Sequence, residues 1–378
     1  MSVLRFSGDL SMAELMIPSI GEIPSFEQIR SELADWRNGV VIRTPNWLGD
    51  AVMAIPAILQ LKRMMPEFAG LFVVAPAPLA ALFEALPFVD LVIPLADAHA
   101  FMSRKERNKV RSLAAGICVL FNNSFRDALS LKMCRIPKLY GANARFRKFL
   151  LHRTFDFPPR LDFTLNSPHQ AAKYLSIVQS MGAEPWDGVM PEFKEHVYPE
   201  TLSENVVAAL NTDRPILALA AGAAYGSAKR WHTGSFREVC RRKLGEGCRI
   251  IMLGGKSERA AAAEIINGLD EKECFNLAGE TGIHELIYVL KHASGCLAND
   301  SGVMHLAAGI GTPGVAPFGP TDPVATSPLS KQWRIVFEKR DCSPCFKRVC
   351  PYGTKACFDP VTPELVCDAL STVMKQKN

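Results

Sequence analysis

No stretch of this chain is both long and apolar enough to cross a bilayer. The most hydrophobic segment, 70–98, is broken by Pro76, Pro78, Glu84, Pro87, Asp90 and Pro94, whereas a spanning helix needs about 20 consecutive apolar residues. No cationic leader followed by an apolar core opens the chain, and eleven cysteines in 378 residues is an odd count. A secreted disulfide scaffold is therefore not expected, and a reducing cytoplasm is. Charge of one sign is also scarce: 43 Lys and Arg against 38 Asp and Glu leave +5. That is too little to argue for nucleic acid, yet it suits an anionic ligand or an acidic membrane surface touched from outside. Low-complexity tracts and short-period repeats are missing too. What is present is 48% hydrophobic and 21% charged sequence, enough to fill two ordinary cores.

The chain-wide pattern supports that division. Residues 1–38 lack a sustained period and read as an appended arm, with one short amphipathic helix over Ser25–Trp36 capped by Ser25. From Gly39 a β-branched run, Val40-Val41-Ile42-Arg43, leads through a loop into a helical segment ending near Met64. Further apolar runs at Leu71–Ala75, Leu91–Pro94 and Ile117–Phe121 alternate with helical stretches, as expected of an α/β domain around a parallel sheet over 39–195. After a polar passage at Pro191–Asn205 the pattern restarts over 196–362, with strands at Pro215–Ala220 and Arg249–Leu253 around a helix at Ser235–Leu244. Pro363 then opens a closing helix within 363–378. The whole reads as two Rossmann-like halves with a cleft between them.

Ligands of open parallel sheets bind beyond the carboxyl ends of the strands, so four strand-to-helix loops carry the candidates. In Asn46-Trp47-Leu48-Gly49-Asp50, Asp50 reaches a helix N-terminus and is either a general base or the N-cap of a helix starting at Ala51. Lys229-Arg230-Trp231 follows the glycine-containing loop at Gly222 and Gly226, placing cations where a diphosphate could approach the main chain; a solvated basic turn with Trp231 packed inward would look the same. Gly254-Gly255-Lys256-Ser257-Glu258 offers Glu258 for a ribose diol, or merely as a first-turn acid. The fourth loop, Asn299-Asp300-Ser301-Gly302, leads into a helix that carries His305 beside Asp300, and its N-terminal amides suit phosphate oxygens.

Taken together, Pro45–Asp50 with Pro56, Asn123-Ser124-Phe125-Arg126, Gly222-Ala223 with Lys229-Arg230-Trp231, Asn299–His305, Phe318–Pro323 and Cys342–Arg348 resemble the bacterial lipopolysaccharide heptosyltransferases, glycosyltransferase family 9, and most closely their heptosyltransferase II branch. The resemblance implies a GT-B fold and an inverting transfer of heptose from ADP-L-glycero-D-manno-heptose to the inner core on lipid A, with no cofactor required. It implies Asp50 as base and Lys229 on the diphosphate. Gly222, Glu258, Asp300, Ser301, Gly302 and His305 would line the donor pocket, and Asn46, Trp47, Arg126 and Arg145 the acceptor side. It further implies a cytoplasmic protein, expected as a monomer, that touches the inner membrane at most peripherally. Arg126, Arg145, Arg147, Lys148 and Arg153 form a basic set suited to a phosphorylated acceptor, or else a solvated face.

The sequence departs from the family at Ala224, where an acid is usual, and at Ser227 and His232, where prolines are frequent. These changes bear on the donor sugar more than on the reaction, because an added hydroxymethyl is read by pocket shape. Transfer of another nucleotide-linked sugar is thus the neighbouring alternative. A catalytically idle nucleotide-sugar binding protein would be expected to lack Asp50 or Lys229, and both are present. Finally, Cys342, Cys345, Cys350 and Cys357 fall within 16 residues. They supply enough thiolates for a closed, structural zinc site, although their spacing is not that of paired zinc knuckles; reduced cysteines in a surface loop are the other reading.

Overall fold

The computed structural model describes residues 36–157, 169–195 and 199–375, together with 14–16, 23 and 197. After strand β1 (Glu14–Met16) the first half runs β2 (Gly39–Arg43), α1 (Leu48–Met64), β3 (Gly70–Pro76), α2 (Ala80–Glu84), β4 (Leu91–Leu95), α3 (Arg104–Ser112), β5 (Ile117–Leu120), α4 (Phe125–Met133), β6 (Lys138–Ala142), β7 (Arg153–Phe155) and α5 (Gln170–Ser180). The second half follows as α6 (Glu204–Leu210), β8 (Ile216–Ala220), α7 (Thr233–Gly245), β9 (Arg249–Met252), α8 (Arg259–Ile266), β10 (Cys274–Asn276), α9 (Ile283–His292), β11 (Gly295–Ala298), α10 (Gly302–Gly309), β12 (Gly314–Pro317), α11 (Pro323–Thr326), β13 (Trp333–Phe337) and α12 (Pro363–Met374).

Two sheets result. The first has the order β4-β3-β2-β5-β6-β7 and is parallel throughout. The second runs β1-β13-β12-β11-β8-β9-β10, parallel except for β1, which pairs antiparallel with β13. Strands β2, β5, β8, β9, β11 and β12 are buried along their whole length. This is the burial that continuous apolar runs require when helices cover both faces of a sheet. The arm is thus not merely appended, because its strand β1 extends the second sheet; the helix expected over Ser25–Trp36 lies outside the described residues. The closing helix forms where Pro363 sits at its first turn and the Thr362 hydroxyl accepts from Leu365 N.

Strand order decides where ligands can bind. Each sheet reverses its winding direction once, between β2 and β5 in the first and between β8 and β11 in the second. Such switch points leave a crevice beyond the strand ends. The loops that leave β2 and β5 carry Asn46, Asn123 and Arg126, and those that leave β8 and β11 carry Gly222, Lys229 and Asp300. The halves meet through α1 and α10, whose first turns touch. A Cβ on Gly49 would lie 2.8 Å from His305 Cδ2, and one on Gly302 would lie 2.8 Å from Leu48 Cβ. Any larger residue at either position would push the two helices apart.

Candidate active site

The cluster in the second half is assembled by Asn299, a fully buried residue at the end of β11. Its Oδ1 accepts from Trp231 N at 3.0 Å and its Nδ2 donates to Ala221 O at 2.7 Å. One amide therefore ties both ends of the β8–α7 loop to the loop that leaves β11. Trp231 packs inward, with its indole N–H donating to Val361 O at 3.0 Å, and this fixes the turn from which Lys229 projects the other way. Lys229 Nζ meets Asp300 Oδ2 at 2.6 Å, with the two side chains 13% and 5% exposed. The Thr326 hydroxyl also donates to Asp300, at 3.3 Å. Burial, the largest influence, would raise the Asp300 carboxyl, but the Lys229 ammonium, His305 and the hydrogen bonds to the carboxylate together outweigh it and hold the group below its ordinary range.

His305, in the first turn of α10, is pushed down to about 3 by burial, with the Asp300 charge only partly offsetting it. Its ring is neutral at physiological pH, so it can offer one hydrogen bond without adding a cation. Its Nδ1 and the Ser301 hydroxyl are buried and have no hydrogen-bond partner among the described residues. Groups of this kind are rare in a satisfied interior and are expected where a ligand will complete the bonding. Both lie at the amino end of α10, where peptide dipoles favour an anion.

Gly222 is required by contact with its neighbour. A Cβ there would fall 1.6 Å from Glu258 Oε1. Glu258 is itself anchored by Gly255 N, which donates to Oε2 at 2.8 Å. The first-turn role and a place beside the donor loop therefore coexist in one side chain.

Asp50 is the third residue of α1, not its N-cap. The helix begins at Leu48 with Trp47 as cap residue, and Ala51 N donates to Trp47 O at 2.8 Å. The capping alternative is thereby excluded: Asp50 follows Gly49, at which a Cβ would lie 2.8 Å from His305 Cδ2 of the other half. Trp47 is 56% exposed. Asn46 is held by Arg43, whose Nη2 donates to Asn46 Oδ1 at 2.8 Å, while Arg43 Nε pairs with Asp127 at 2.9 Å. Arg43 and Asp127 are both buried. Composition gave no reason to single them out, although an arginine closing a β-branched run is a local signal for a buried ion pair.

In the first half Arg126 and Arg145 are exposed, and among the described residues they make no ion pair with the Lys229–Asp300 cluster. Arg147 departs from the expected basic face. It is fully buried and donates through Nε to Ala142 O at 3.0 Å and through Nη2 to Asn123 Oδ1 at 3.4 Å. The halves are further tied by His169, which precedes α5. Its Nδ1 accepts from Ala171 N, so Nε2 carries the proton and donates to Ser327 O at 2.8 Å.

The cysteine segment forms the rear wall of the donor loop. Ala228 N donates to Arg348 O at 3.0 Å, Lys355 Nζ to Arg230 O at 2.9 Å, and Lys229 and Arg348 both lie 5.0 Å from the centre of the Tyr225 ring. Cys342, Cys345, Cys350 and Cys357 line one cavity of about 400 Å³. Among the described residues, however, no three His, Cys, Asp or Glu side chains are gathered closely enough to hold an ion. The zinc expectation therefore finds no preformed site: the thiols ring a cavity where a tetrahedral centre would need them about 2.3 Å from a single point.

Comparison with known proteins places this geometry. The model for glycosyltransferase family 9 (heptosyltransferase) matches residues 104–356. The chain belongs to that family. Lipopolysaccharide heptosyltransferase 2 of Escherichia coli is 26% identical to this glycosyltransferase over 353 residues, 89% of this chain and 99% of the relative. The solved structure of E. coli ADP-heptose lipopolysaccharide heptosyltransferase II superimposes with a TM-score of 0.73 at 25% identity, covering 90% of this chain and 99% of that one. A family 9 glycosyltransferase from Veillonella parvula shares the fold with a TM-score of 0.74 at 19% identity. Within the glycosyltransferase, no helix of the described residues is long and apolar enough to cross a membrane.

Proposed function

We propose that this glycosyltransferase moves heptose from an ADP-linked donor to the inner core of a lipopolysaccharide, with inversion at the anomeric carbon. The reading is supported by the meeting of the first turn of α1, which carries Asp50, with that of α10, which directly follows the Asp300 that pairs with Lys229. Asp50 takes the proton of the acceptor hydroxyl as that oxygen attacks the anomeric carbon. The bond to the diphosphate breaks on the opposite face. Charge then builds on the leaving ADP, where Lys229, the Ser301 hydroxyl and the amides that open α10 stabilise it. Glu258 and Gly222 contact the nucleoside end, and Asp300 the sugar. Asn46, Trp47, Arg126 and Arg145 face the anionic, lipid-borne acceptor, which the enzyme meets peripherally on the cytoplasmic face of the membrane.

The naming of relatives for heptose transfer supports the donor assignment, and the departure at Ala224 is compatible with another sugar on the same scaffold. Asp50→Asn tests the reaction. Turnover, followed as ADP release with core-truncated lipopolysaccharide, is expected to fall ~10²–10⁴-fold with ADP affinity unchanged. Turnover within threefold of the parent would remove Asp50 from the base role. A larger thermal shift with UDP or GDP than with ADP would overturn the choice of donor.

A further inference from the structure

The loop that leaves β6 holds two phenylalanines out in water. Phe146 is 93% exposed and Phe149 75%, and Arg145 and Phe146 both occupy the left-handed backbone region, at φ 48° and 58°. A side chain with a Cβ is disfavoured there, and an exposed phenyl ring gains nothing from folding. Phe149 makes one ring contact, with Phe125 at 6.1 Å between centroids. Around these rings charge runs one way. Residues 126–153 contain eight Lys or Arg and a single acid, Asp127, which is buried against Arg43. Arg126, Arg145 and Lys148 are exposed beside the loop, and the next acid along the chain, Asp156, is engaged by Asn143.

We propose that Phe146 and Phe149, set among these cations, insert into an anionic lipid bilayer and hold the acceptor half against it. An apolar tip with a cationic collar matches an interface that offers hydrocarbon beneath negative headgroups. A symmetric pair of this chain would instead bring the same cations face to face. Placement agrees with the chemistry. The loop leaves the carboxyl end of β6, the second neighbour of β2, so it lies roughly 10 Å across the sheet from the Asn46–Asp50 loop at the same edge. A sugar chain rooted in the bilayer would then rise beside the cleft. The inference deepens the reading of the acceptor as lipid-borne and rests on it.

Vesicle sedimentation of the full chain tests the contact. The parent is expected to bind vesicles of phosphatidylglycerol and phosphatidylethanolamine and to bind phosphatidylcholine vesicles at least tenfold less. Phe146→Ala, which removes a side chain with no packing role, is expected to weaken the first binding five- to tenfold. Phe146→Trp is expected to shift its emission to the blue on the anionic vesicles alone. Phe146→Ala should leave turnover on a deacylated, water-soluble acceptor unchanged while raising KM about tenfold on acceptor embedded in vesicles. Equal vesicle binding by parent and Phe146→Ala overturns the proposal, as does a parent dimer in solution that Phe146→Ala dissolves. If the parent binds anionic vesicles through Phe146 but transfers no sugar to either acceptor, docking stands and the heptose reading falls.

Discussion

Replacing Lys229 by Met isolates the buried Lys229–Asp300 pair. At 2.6 Å and an effective dielectric of about 20, the gross attraction between the two charges is about 6 kcal/mol, from which desolvation of both groups subtracts. Removing the ammonium alone leaves Asp300 buried and uncompensated, which costs roughly 3–5 kcal/mol in comparable pairs. At ~2–4 °C per kcal/mol for a half of this size, Lys229→Met should lose roughly 6–20 °C in thermal midpoint at pH 8. The second change, Asp300→Asn, keeps the shape and still accepts from Thr326, so Lys229→Met/Asp300→Asn should regain most of the loss. The sign with pH follows from the same pair. In the parent the Asp300 carboxyl is held low, so its contribution is complete above its unfolded value, near 4, and fades only as pH falls below that. In Lys229→Met burial acts without a cation and raises the group. The gap between single and double variants should therefore narrow as pH falls from 8 to 5. Differential scanning fluorimetry of both variants at each pH reads this directly, because every other titrating group is common to the two. A loss under about 2 °C at pH 8, less than 1 kcal/mol, or a gap that widens in acid, would refute the argument. ADP affinity of Lys229→Met should fall ~10–150-fold, the value of one charge-assisted hydrogen bond.

Gly222→Ala would set a Cβ 1.6 Å from the Glu258 carboxylate; ADP affinity should drop at least tenfold by calorimetry, and Gly222→Ala/Glu258→Ala should recover part of it. His169 and His305 are held at about 4 and about 3, below the ordinary 6.5, so their stabilisation is complete above pH 6.5 and is lost as pH falls toward 4. The expected slope is ~1.4 kcal/mol per pH unit for each, and thermal scans of His169→Gln should show a visibly shallower decline than the parent. Burial would raise the Cys350 thiol, yet the amides of Lys355, Tyr352 and Gly353 and the Lys355 ammonium bring it below its ordinary value. Limited iodoacetamide treatment followed by peptide mass spectrometry should find Cys350 modified before the more exposed Cys342; the reverse order would contradict the lowering of the Cys350 thiol.

Much of this protein is legible in one dimension. Continuous apolar runs such as Val40–Ile42 and Leu217–Ala220 announce strands buried on both faces, because only a covered parallel sheet tolerates them. The loops that follow them hold Gly222, Lys229 and Asp300, since short strand-to-helix turns draw on a small set of residues. Other features depend on contacts between distant segments. Whether Asp50 capped its helix hung on where α1 begins, and the backbone begins it at Leu48, two residues earlier. Asn299 became the clamp of two loops, Arg147 left the basic surface for the interior, and Arg43 found Asp127, each through a partner 68, 24 and 84 residues away. The cysteines illustrate the limit from the other side, for their proximity in sequence left zinc and free thiols both open, and in space they line a cavity with no three metal-binding side chains gathered among the described residues. Local pattern therefore set the elements and the chemistry on offer. Only the closure of two sheets against each other settled which side chains share a site, because that depends on distances in space that no spacing along the chain encodes.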